Sequence, residues 1–116
     1  MSSDLIFHIV SKRKWRECFQ DGVYSVKSED DSEKELGIEC VRINYLNQYL
    51  NQQFKGRKNL FILVIDISRL AHRPVQSKES ELIYIEKEIR SEAILDKIRI
   101  DCGKEGQFDL TVFSSN

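Results

Sequence analysis

Two rhythms of hydrophobic and polar positions run along this chain. The strongest apolar run is Leu60–Asp66 (LFILVID), bounded by the loop signal Lys55-Gly56-Arg57-Lys58-Asn59 and by the polar Ser68-Arg69. A short run of branched and aromatic residues between such boundaries predicts a strand buried on both faces, and it is the natural centre of a sheet. Leu5–Val10 (LIFHIV) has the same strand composition, and a period of two puts His8 on the face of Ile6 and Val10. Ser11 then fits an N-cap, with Trp15, Cys18 and Phe19 at helical spacing and Gly22 as a stop, which predicts a helix over about 12–20. Ile43, Leu46, Leu50 and Phe54 repeat at three and four residues, which predicts a second, amphipathic helix over 43–54 leading into the central strand.

The remaining segments read mostly as strands. Val23-Tyr24-Ser25-Val26 predicts a short one. Leu36 to Ile43 predicts another, with Ile38, Cys40 and Arg42 on one face and Glu39, Val41 and Ile43 on the other. A charge on either face implies that one of them lines a cleft or an edge. Leu82–Glu86 and Ile94–Ile100 alternate as strands, and Gly103 and Gly106 bracket a turn that returns through Phe108–Phe113. Pro74 and the polar Gln76–Ser80 mark a loop. The acidic Lys27–Glu35 cannot pack in a core and predicts a mobile loop, with ends 1–4 and 114–116 flexible. The sum is an α+β fold in one domain, residues 1–116, with a mostly antiparallel sheet and two main helices.

Composition narrows the function classes only slightly. With 116 residues, 41% hydrophobic and 32% charged, the chain can bury a core without disulfide or metal. A formal net charge of -1 gives no overall attraction to nucleic acid or membrane, and no apolar run reaches spanning length. Met1-Ser2-Ser3-Asp4 has no basic start, so a cytoplasmic protein without a signal peptide is expected. Cys18, Cys40 and Cys102 are widely spaced with no CxxC pair, which predicts reduced thiols and no metal site.

The order of motifs resembles a small bacterial family of unknown function grouped with the ADP-ribosyltransferase-like fold. The resemblance spans about residues 5–100. It is carried by His8 in the opening strand (family YHI), Trp15 with Gly22-Val23-Tyr24 (W..G.Y), Gly37-Ile38-Glu39-Cys40 (GFIHCS), and Phe54 through Gly56 and Leu60 to Val64-Ile65-Asp66 (F.G...L.LL.ID). The chain departs from the pattern at Glu39 and Val41, where the family has a histidine and a serine, and in the HIYGPI segment, where it has no Gly-Pro. Two registers are possible there: one puts Tyr84 and Glu86 at the family's His and Tyr, and the other keeps Ile83-Tyr84 as its Ile-Tyr.

The resemblance implies a split, mostly antiparallel sheet and a cleft for NAD or an adenine nucleotide. Enzymes of this fold cleave the nicotinamide–ribose bond through an oxocarbenium-like transition state, which a carboxylate stabilises. By that analogy His8, Tyr24, Glu39, Cys40 and Tyr84 are the ligand-binding candidates, and Glu81 or Glu86 the catalytic carboxylate. Each has an ordinary reading too: His8 as a half-buried histidine bonded to a carbonyl, the tyrosines as core-edge aromatics, and the glutamates as solvated surface. The altered polar set favours a domain that binds a nucleotide or a protein partner without efficient catalysis over an NAD-cleaving enzyme. Nucleic-acid binding through Lys12–Arg16 with Lys55, Arg57 and Lys58 is a weaker alternative, because acidic residues balance these charges.

Overall fold

The computed structural model describes residues 4–25 and 37–108. The acidic loop 27–35, the return strand beyond Phe108 and the outermost ends lie outside the described residues. Within them the fold is α+β, with two helices and strands that pair antiparallel throughout. Leu60–Asp66 (β5) is the middle strand of the longest sheet, between Leu5–Ser11 (β1) and Ile94–Ile100 (β9). A second sheet joins Phe19–Gln20 (β2), Val23–Ser25 (β3) and Glu88–Arg90 (β8). A third joins Ile38–Cys40 (β4), Ile83–Ile85 (β7) and Val75–Gln76 (β6).

The central strand is buried on both faces, as its composition requires. Leu63 and Ile65 face one core with Ile6, Val10, Tyr24, Ile38 and Cys40, while Leu60 and Ile62 face another with Ile9, Val41, Leu46 and Leu50. β1 follows the same alternation, so the register His8↔Leu63 puts the imidazole over the first core.

The first helix, α1, covers Lys12–Cys18, and Ser11 Oγ accepts the Lys14 N–H at 3.0 Å as the expected cap. It ends before residue 20 because Phe19 and Gln20 turn extended to pair with Tyr24 and Val23. Gly22 is therefore not a helix stop. Asp21 (φ 54) and Gly22 (φ 78) are the two left-handed residues of a tight hairpin, a turn that Asp-Gly favours. The second helix, α2, covers Ile43–Gln53 and buries Leu46, Tyr49 and Leu50. Arg42 precedes it as the N-cap residue, so the strand expected over 36–43 ends at Cys40. No helix among the described residues is long and apolar enough to cross a membrane.

Because β5 separates the two cores, truncating it has to cost more than truncating the edge. Leu63→Ala, at a fully buried position, is expected to lower stability by about 3 kcal/mol. Leu95→Ala on β9, where 47% of the residue is exposed, should change it by less than about 1 kcal/mol. Urea unfolding midpoints measure both, and equal losses would contradict the central role of β5.

Candidate functional site

β1 meets the residue that follows β4 at one pair, and the two strands then separate. Phe7 and Val41 exchange both main-chain hydrogen bonds, at 2.8 and 2.9 Å, in an isolated antiparallel bridge. Strand alternation turns the N–H and C=O of Ile9 toward β4 in the same way, yet no main-chain bond joins Ile9 to Glu39 among the described residues. The His8 ring spans the gap. Its Nδ1–H donates to the Glu39 carbonyl at 2.8 Å, and its Nε2 accepts the Tyr24 hydroxyl at 3.0 Å. A carbonyl can only accept, so Nδ1 carries the proton of a neutral ring.

Burial sets the electrostatics of this chain of bonds. It is the main cause that holds the His8 pKa down at about 4, against the raising effect of the Glu39 carbonyl, and the charge of Lys14 adds to the lowering. Burial likewise pushes the Tyr24 phenol well above its ordinary range, with Cys18 and Cys40 adding to it. Tyr24 stays a protonated donor. Trp15 stacks on it at 5.3 Å between ring centroids, and Phe19 on Trp15 at 4.4 Å, so α1 and the β2–β3 hairpin fix the ring that orients His8.

Beyond the His8 bridge the separated strands open into a cleft of about 320 Å³. His8, Ser11 and Lys14 form one wall, Gly37 and Glu39 the other, and Phe54 and Arg57 close the end next to α2. Gly37 permits the close approach of β4 to β7, since a Cβ there would lie 1.6 Å from the Ile85 carbonyl oxygen. The Glu39 carboxylate accepts a hydrogen bond from Tyr49 of α2, and burial followed by this carboxylate pushes the Tyr49 phenol upward.

Of the residues proposed from sequence, the structure thus brings His8, Tyr24 and Glu39 to one cleft. The others are elsewhere. Cys40 is fully buried in the first core, its thiol directed to the Ile38 carbonyl and its pKa raised by burial and then by Glu39. Tyr84 is the cross-strand partner of Glu39 but does not line the cleft. Glu81 is exposed ahead of β7. Glu86 accepts bonds from Ala71 N–H and His72 Nδ1 in a separate cleft of about 440 Å³ lined by Arg69 and Arg90. Neither carboxylate expected to be catalytic lines the cleft beside His8.

Lys14, Arg57 and Phe54 were not singled out as cleft residues by the sequence. A signal for Lys14 existed: positive charge in the first turn of a helix is unfavourable unless solvent or an anion faces it. Arg57 entered only as one of the basic residues grouped with Lys12–Arg16 in the weaker nucleic-acid alternative.

No family model matches the sequence, and no curated protein matches it. Among solved structures, the chain is similar to the crystal structure of protein CC0527 from Caulobacter crescentus, at 16% identity and a TM-score of 0.77 over 95% of this chain and 97% of that one. The solution structure of CC0527 gives a TM-score of 0.68 at 15% identity over 89% and 90% of the two chains. At this identity the likeness shows a shared fold.

A neutral His8 has a consequence for stability against pH. The unfolded imidazole takes up a proton near pH 6.5 and the folded one only near about 4, so this contribution is intact above pH 6.5 and declines as pH falls between the two values. One side of the ring opens to the cleft, so the loss between pH 7 and pH 5 is at most about 2 kcal/mol. Urea unfolding at both pH values should show that loss, and His8→Gln should remove this part of it. An unchanged pH profile in His8→Gln would contradict the neutral, bridging ring.

Proposed function

We propose that this chain is an ADP-ribosyltransferase-like domain that binds NAD or a shorter adenine nucleotide in the β1–β4 cleft without efficient turnover. The observation that carries the proposal is the opening of the strand pair at His8, the residue in register with the family's first motif, into a cleft with cations at its rim. The same geometry argues against catalysis. Both ring nitrogens of His8 are engaged within the protein, so the ring is not available to grip a substrate. Glu39 is the one carboxylate among the described residues lining the cleft, and Tyr49 already draws on its charge. Where the family has a serine, Val41 is fully buried in the second core. Loss of one preorganised polar group at a reacting centre costs on the order of a hundredfold in rate.

Thermal melting against NAD, ADP-ribose and AMP tests binding. At a hundred times its dissociation constant a ligand adds about 2.7 kcal/mol, which raises the melting temperature by several degrees in a domain of this size. Nicotinamide release from NAD should stay at background. Release that Glu39→Gln abolishes would establish an NAD-cleaving enzyme instead, and no shift with any nucleotide would leave a protein partner as the occupant.

A further inference from the structure

We infer that Lys14 and Arg57 form an anion subsite in the lining of the cleft, so that its ligand is one ribose phosphate unit, with the phosphate between these cations and the sugar hydroxyls toward Glu39. This rests on the nucleotide reading above and adds to it the size, charge and orientation of the ligand.

The charge pattern is the first ground. Arg13, Arg69 and Arg99 each pair with a carboxylate, Glu17, Asp66 and Asp101 respectively. Lys14 and Arg57 line the cleft from different elements, and neither has a carboxylate partner among the described residues. The Arg57 guanidinium lies 5.5 Å from the centroid of the Phe54 ring. Stacking in this way orients a guanidinium while leaving its N–H donors free for an anion.

The opposite wall supplies the second ground. Tyr49 donates to Glu39 Oε2, whereas Oε1 has no hydrogen-bond partner among the described residues and can accept from a hydroxyl. The cleft therefore offers cations for a phosphate and a carboxylate oxygen for a neutral donor, the two polar parts of a ribose phosphate. Size is the third ground. At about 320 Å³ the cleft is near the lower limit for small-molecule sites, roughly 300–1,000 Å³, so it holds one ribose phosphate unit and leaves the rest of a nucleotide or dinucleotide in solvent.

Calorimetric titration of the chain with AMP, adenosine, ribose 5-phosphate and NAD tests this. AMP should bind at least about tenfold tighter than adenosine, the effect of one charge-assisted contact, and NAD no tighter than AMP. Lys14→Ala and Arg57→Ala, both at exposed positions, should each weaken AMP about tenfold and leave adenosine unchanged, with Lys14→Arg restoring most of the loss. Equal affinities for AMP and adenosine, or variants that bind AMP like the parent, would overturn the subsite while nucleotide binding stands. NAD binding more than about tenfold tighter than AMP would overturn the size limit, and no binding by any of the four would overturn both readings.

Discussion

The bridge between Phe7 and Val41, followed by the His8 side chain where the next main-chain pair would form, is the constraint on which this structure depends. Had the ladder continued to Ile9 and Glu39, β1 and β4 would have closed into one sheet with no gap. The imidazole satisfies the Glu39 carbonyl and holds the strands apart, and the Tyr24 hydroxyl satisfies its other nitrogen. Strands from all three sheets therefore meet on one ring. A protonated ring would carry its charge into this buried position, and burial is the main cause that holds its pKa down. The cleft and the neutrality of His8 are two results of the same geometry.

Much of the frame was legible because burial imposes a period on the chain. β5 needed only its composition and its boundaries. β1 and α2 followed from periods of two and 3.6 residues, and Ser11 declared the start of α1. Three of the short elements were not legible. β2, β6 and β8 have two or three residues each, too few for a period to show, and they exist because a neighbouring strand offers hydrogen bonds. The Asp21-Gly22 hairpin was misread because a glycine after a helical pattern is also a good helix stop. Only the extended pairing of Phe19 with Tyr24 separates the two cases.

The site was legible in part for a related reason. Alternation told which face His8 occupies, and Glu39 was named beside it only as a candidate that the resemblance implies. It could not say that Cys40 would turn into the core, that Tyr84 would lie across the strand from Glu39 but outside the cleft, or that Glu86 would serve a different cleft through Ala71 and His72. Those facts depend on how the sheets pack together. Lys14 and Arg57 are distant in sequence and converge only once α1 and the turn after α2 flank the same gap.

Nitrogen NMR of the His8 ring tests this account most directly, because the chemical shifts report the tautomer and the titration together. The account predicts a neutral ring protonated at Nδ1, with Nε2 as the acceptor, that stays neutral at pH 5.5 and takes up a proton only near about pH 4. A ring protonated at Nε2, or one that titrates near the unperturbed value of about 6.5, would contradict it.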